Sequence, residues 1–100
     1  MASCVNNYRL STQAENEILD IFLYGIEQFG LNQARLYKDG MESCFQLLGN
    51  NPRMGRSATI VGEGIRRHEH GSHVIFYETD GSGVLILTIV HGRSIRRLKL

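Results

Sequence analysis

Apolar residues first recur along the chain at helical spacing, and later in short runs of strand character. Ala14, Ile18, Ile21, Phe22, Gly25, Ile26 and Phe29 share one helical face. Ser11 or Thr12 is placed to cap that helix, and Thr12 with Glu15 has capping-box spacing. Glu15, Glu17 and Asp20 suit the positive end of its dipole. Gly30 ends it as a C′ glycine. Asn32 is the expected cap of a second helix, whose stripe is Ala34, Tyr37, Met41, Phe45 and Leu48. Gly40 weakens that helix by ~1 kcal/mol against alanine, and suggests a close approach of the two helices there. Gly49, Asn50, Asn51 and Pro52 stop it, because the residue before a proline avoids the α region. The short connection predicts an antiparallel helix hairpin.

Before the hairpin, Val5 to Leu10 reads as a short strand with Tyr8 and Leu10 on one face. After it, Arg53 to Gly64 reads as loop. Ile65 to His70, His73 to Thr79 and Val84 to Val90 read as three strands, with a hairpin turn at Thr79–Gly83. Val84 to Val90 is the most apolar, so it is expected to be central and covered on both faces. The predicted order is β-α-α-β-β-β. Helices grouped before strands predict an α+β fold, with an N-terminal helix hairpin packed on a mainly antiparallel sheet.

With 42% apolar and 21% charged residues in 100, the composition is that of one folded domain. Residues 1–6 are expected to form a flexible leader, and about 94–100 a flexible basic tail. The run Val84 to Val90 is far short of the ~20 residues of a membrane span. Cys4 and Cys44 do not suggest a disulfide framework, so a soluble, cytoplasmic protein is expected.

The net charge of +1 conceals a division. Residues 1–51 carry Arg9, Arg35 and Lys38 against Glu15, Glu17, Asp20, Glu27, Asp39 and Glu42, for −3. Residues 52–100 carry eight bases and four acids, for +4. Arg93, Arg96, Arg97 and Lys99 crowd the last nine residues without an acid. Such an end suits nucleic acid or an acidic protein, or simply solvates the chain.

Four segments, spanning about Tyr8 to Arg97, resemble the ParE toxins of the RelE/ParE toxin–antitoxin superfamily. Tyr8-Arg9-Leu10-Ser11 with Ala14-Glu15 and Ile18 is similar to the family's opening strand and helix cap. Phe29-Gly30 with Ala34 and Tyr37 is similar to its interhelical joint. Leu47-Leu48-Gly49-Asn50-Asn51-Pro52-Arg53-Met54-Gly55-Arg56 resembles its "L…NP..GR" signature, the most specific of the four. Gly64–Arg67, His73–Tyr77 and Ile89–Arg93 resemble its C-terminal strands. Many relatives carry tryptophan near Phe22, which phenylalanine replaces here.

The resemblance implies the toxin of a bacterial type II (plasmid stabilisation) module, a proteinaceous inhibitor of DNA gyrase rather than an enzyme. It also implies neutralisation by a cognate small acidic antitoxin. RelE-like relatives instead cut mRNA on the ribosome, and fold does not decide between the two. Such cleavage needs an acid, a base and a cation at the phosphate. Arg66, His91 and Arg93 are the candidates for that alternative; otherwise no catalytic residue is expected.

For target binding the candidates are Arg66, Arg67, Arg93, Arg96, Arg97 and Lys99. Arg66 and Arg67 fall on opposite faces of a strand, so at most one joins any single site. Direct contact of these bases with nucleic acid stays open. Leu23, Leu31, Leu36 and Met41 are the candidate antitoxin contacts, with core packing the competing reading for Met41. His68, His70 and His73 lack a standard zinc spacing and are expected to be solvated on the sheet. No metal or cofactor is expected.

Overall fold

The first strand, β1 (Tyr8–Leu10), hands over to the first helix at Ser11 through one hydroxyl. Ser11 still pairs with the sheet, its N–H donating to the Ile86 carbonyl at 3.0 Å. Its Oγ accepts from the Ala14 N–H at 2.9 Å and donates to the Leu87 carbonyl at 2.7 Å. Ser11 is therefore the N-cap of α1 (Thr12–Phe29), and Thr12 lies inside the helix. The expected Thr12–Glu15 box does not form, because sheet pairing carries the extended backbone as far as Ser11.

In this computed structural model, residues 7–81 and 83–94 are described. Gly30 serves both helices. Its N–H donates to the Ile26 carbonyl and its carbonyl accepts from the Ala34 N–H, each at 3.0 Å. Its φ of 91° is in the region that favours glycine. The second helix, α2 (Leu31–Asn50), thus starts one residue before the expected Asn32 cap and has no side-chain cap. The helices meet where Gly25 faces Ala34; a Cβ on Gly25 would lie 3.2 Å from the Ala34 Cβ. Gly40, the expected approach point, instead faces His70, whose Cε1 would lie 2.9 Å from an added Cβ.

Four further strands follow: β2 (Arg56–Ser57), β3 (Ile65–His70), β4 (His73–Asp80) and β5 (Gly83–His91). The sheet order is β1-β5-β4-β3-β2, with β1 parallel to β5 and every other pair antiparallel. The segment expected to be loop thus contributes β2, a two-residue edge whose pairing with Arg66 and Arg67 no local pattern announces. The central strand is β4, not the more apolar β5. Val74 to Tyr77 are all buried, Ile75 and Tyr77 under the helices and Val74 and Phe76 in a small cluster with Ala58 on the other face. The main core joins Ala14 of α1 and Met41, Phe45 and Leu48 of α2 to Ile75, Tyr77, Val84, Ile86 and Ile89.

β1 covers β5 only as far as Ile86. Beyond it, Glu17 of α1 takes the place of a strand. Its carboxylate accepts from the Ile89 N–H and the Thr88 hydroxyl, both at 2.8 Å. Among the described residues, no helix is long and apolar enough to cross a membrane.

Candidate partner-binding groove

At the sheet end formed by the β3–β4 turn and the end of β5, the helix hairpin and the sheet enclose a groove of about 730 Å³. Ile21, Tyr24 and Phe29 of α1, Leu36 and Tyr37 of α2, and Ser72, His73 and His91 of the sheet end contribute to its lining. Tyr24, Phe29 and Leu36 are 61%, 69% and 65% exposed, unusual for side chains of this size on one small surface.

Of the four expected antitoxin contacts, Leu36 and Met41 line the groove. Met41 is only 1% exposed and belongs to the core, so its contribution is support from below rather than contact. Leu23 and Leu31 are exposed but lie outside the groove. Sequence reading missed Tyr24, Phe29 and the histidines. Phe29 lies on the apolar stripe of α1, yet at the helix end it is left exposed.

His68, His70, His73 and His91 register beside helix-side residues of the sheet. His70 and His73 are half-buried against Tyr37 of α2 rather than solvated, whereas His91 is exposed. The His70 ring lies 4.7 Å from the Tyr37 ring, its Nε2 is 3.3 Å from the Tyr37 carbonyl oxygen, and its Nδ1 is 3.6 Å from Cys44 Sγ. Burial pushes the Cys44 thiol pKa up. Burial also lowers the His73 pKa, assisted by His91 and His70 nearby.

Arg66 and Arg67 do point to opposite faces: Arg66 pairs with Tyr77 and Arg67 with Phe76. Arg66 is committed to the loop after α2, its Nη1 donating to the Gly55 carbonyl at 2.6 Å. The Gly55 N–H donates to Tyr77 Oη at 2.9 Å, and that hydroxyl donates to the Pro52 carbonyl at 2.8 Å. Burial raises the Tyr77 pKa, while the Gly55 bond and Arg66 act against the rise. The asparagine–proline–glycine signature is therefore a docking segment for the core tyrosine.

The proposed set Arg66, His91 and Arg93 does not come together. His91 pairs with His73, four residues along β4 from Tyr77, so Arg66 lies about 13 Å away along the strand direction and two strands across. A second hollow instead unites Arg67, His91 and Arg93 at the sheet end. Glu69 pairs with both Arg67 and Arg56 at 2.9 Å, which leaves Arg93 as the hollow's exposed guanidinium. Arg96, Arg97 and Lys99 lie outside the described residues.

The family described as "ParE toxin of type II toxin-antitoxin system, parDE" matches residues 8–96. The chain belongs to the ParE toxin family. Toxin ParE1 of Caulobacter vibrioides is 33% identical over 84 residues, which cover 84% of this chain and 86% of that protein. Toxin ParE1 of Mycobacterium tuberculosis is 28% identical over 89 residues, covering 88% and 91%. A solved structure described as "Chromosomal ParDE TA system from P. aeruginosa" superposes with a TM-score of 0.74 at 16% identity, covering 86% of this chain and 95% of that one. The ParE fold is thus shared across sequences that have diverged widely, as expected where a β-α-α-β core is held by burial rather than by particular side chains.

Proposed function

We propose that this ParE toxin inhibits DNA gyrase by binding, without catalysis, and is neutralised by a small acidic antitoxin seated in the groove. The observation that carries the binding reading is the separation of Arg66 from His91 and Arg93. The described part of the candidate nuclease set is split between two ends of the sheet. A binding inhibitor needs only a complementary surface, and the exposed Arg93 at the sheet end supports that reading. Arginine suits both acidic protein and DNA phosphate, because its planar fork binds either in bidentate fashion.

The groove supports the antitoxin half of the reading. An amphipathic helix laid into it buries Tyr24, Phe29 and Leu36 at ~25 cal/mol for each Å² of apolar surface. Replacing Phe29 and Leu36 together by glutamate is expected to weaken antitoxin binding at least ~100-fold, or about 3 kcal/mol. Titration calorimetry with the cognate antitoxin checks this. Unchanged affinity would place the contact elsewhere, with the exposed Leu23 and Leu31 next in line.

Gyrase supercoiling of relaxed plasmid, assayed against increasing toxin, tests the target. The expected result is loss of supercoiling with accumulation of cleaved DNA. Normal supercoiling by a folded protein that still arrests growth would overturn it. Ribosome-bound mRNA would then be the substrate to examine, with Arg67, His91 and Arg93 the residues to change.

A further inference from the structure

The hollow at the sheet end measures about 530 Å³. Arg67 of β3 and Arg93 beyond β5 both line it, and Glu69 is the only carboxylate among its described lining residues. Glu69 Oε2 accepts from Arg67 Nη2 and from Arg56 Nη2, each at 2.9 Å. One carboxylate oxygen therefore serves two guanidinium groups. Arg93 has no ion pair among the described residues. Its backbone is tied down instead, with its N–H donating to His91 Nδ1 at 3.2 Å and the Gly92 N–H donating to the Ser72 carbonyl at 2.7 Å.

This pairing leaves Arg67 incompletely used. Among the described residues, its Nε is the one buried side-chain nitrogen or oxygen without a hydrogen-bond partner. A buried guanidinium N–H without an acceptor is unfavourable, and an anion beside the group relieves it. The hold of Glu69 is weak by comparison. The Arg56 and Glu69 side chains are 70% and 51% exposed, and ion pairs so open to water contribute little. A better acceptor can therefore displace the carboxylate at small cost.

The arrangement of the cations selects the acceptor. Arg67 reaches the hollow from β3 and Arg93 from the turn after β5, so one group serving both must aim oxygens in two directions. A carboxylate is planar and matches one guanidinium edge at a time. A phosphodiester is tetrahedral, permanently ionised, and offers two free oxygens that diverge. Gly71 and Gly92 contribute no side chain to the lining, which leaves room for it.

We propose that Arg67 and Arg93, supported by Arg56, form a site for a phosphodiester of a nucleic-acid strand, and that Glu69 occupies this site as a placeholder in the free toxin. The proposal rests on the reading of the sheet end as the target surface. It assigns the contact there to nucleic-acid backbone rather than to acidic protein. Glu69 then tempers affinity, because each phosphate must displace a carboxylate to bind.

The test is fluorescence anisotropy of a labelled single-stranded DNA oligonucleotide, and of its RNA counterpart, titrated with the full chain in the absence of gyrase. Glu69→Gln removes the competing charge and keeps the size of the side chain, so it is expected to tighten binding about 3–10-fold. Arg93→Gln is expected to weaken binding by about the same factor and to flatten the salt dependence by ~0.7 in log K per log salt, the loss of one phosphate contact. Any contribution of Arg96, Arg97 and Lys99 is common to the three proteins and cancels. Both changed residues are exposed, and should either variant fail to fold, the other decides. A Glu69→Gln protein that binds no tighter, or an Arg93→Gln protein with wild-type affinity and slope, would overturn the site. So would an oligoglutamate that competes as well as an unlabelled oligonucleotide of equal charge. Preference for the DNA strand supports the site with gyrase-held DNA as the source, and preference for the RNA strand supports it with mRNA as the source. Gyrase inhibition without oligonucleotide binding would overturn this site and leave the gyrase reading intact, whereas binding without gyrase inhibition would do the reverse.

Discussion

Gly55→Ala is expected to cost the fold about 3 kcal/mol, or on the order of 15 °C in Tm. A Cβ at this position would lie 2.5 Å from Tyr77 Oη and 2.6 Å from the Arg67 carbonyl oxygen. Neither neighbour can yield cheaply. The tyrosine is fully buried in the core, and the Arg67 carbonyl is sheet backbone. The loop must therefore lift, which breaks the Gly55 bonds to Tyr77 and Arg66 together. Tyr77→Phe removes the hydroxyl alone and strands the Gly55 N–H and Pro52 carbonyl, at about 1–3 kcal/mol. The two changes act on one contact, so the double variant should cost less than the sum of the singles. Denaturant unfolding of the three variants measures this. Strict additivity would show that the loop is held by something other than the Gly55–Tyr77 contact.

Charge reversal of Arg93, Arg96 and Arg97 together is expected to abolish growth arrest while leaving a folded protein. Arg93 is exposed beyond the end of β5. Exposed changes of this kind usually move stability by no more than about 0.5 kcal/mol each. Against an acidic or phosphate-bearing target, however, each reversal turns attraction into repulsion. Several kcal/mol of like-charge cost correspond to target binding weaker by roughly 10²–10³-fold. Growth after induced expression gives the readout, and circular dichroism with a thermal melt verifies the fold. Full arrest by the folded triple variant would remove these arginines from the target surface. Together with the groove substitutions, the experiment separates the two surfaces. Phe29 and Leu36 variants should stay toxic and escape the antitoxin, whereas the arginine variant should be harmless.

Local pattern was informative wherever a residue's role depends on its near neighbours. The hairpin, the Gly30 joint, the three long strands and the β4–β5 turn are legible because helical and strand periods and glycine conformations are set within a few residues. The ParE likeness was legible for a related reason: its motifs are short and keep their order. The errors have a shared form. Thr12 lost the cap to Ser11 because β5 holds Ser11. Gly40 lost the interhelical contact because β3 lies beneath it. β5 lost the centre to β4 because strand order is not written in any one strand.

The candidate site divides along the same line. Sequence by itself determined that the chain makes an α+β ParE fold, that its basic residues gather at the C-terminal end, and that Arg66 and Arg67 face apart. The α+β class and the facing of Arg66 and Arg67 follow from spacing, the basic end follows from composition, and ParE follows from the resemblance of four short motifs. Only the tertiary structure decided that Arg66 belongs to Gly55 rather than to His91, and that His70 and His73 pack on a helix. It also decided that Phe29 and Leu36 are left uncovered while Met41 is sealed in. Those outcomes depend on where one element ends relative to another. Strand register and the place where a hairpin meets a sheet are set by long-range packing, on which the local sequence pattern is silent.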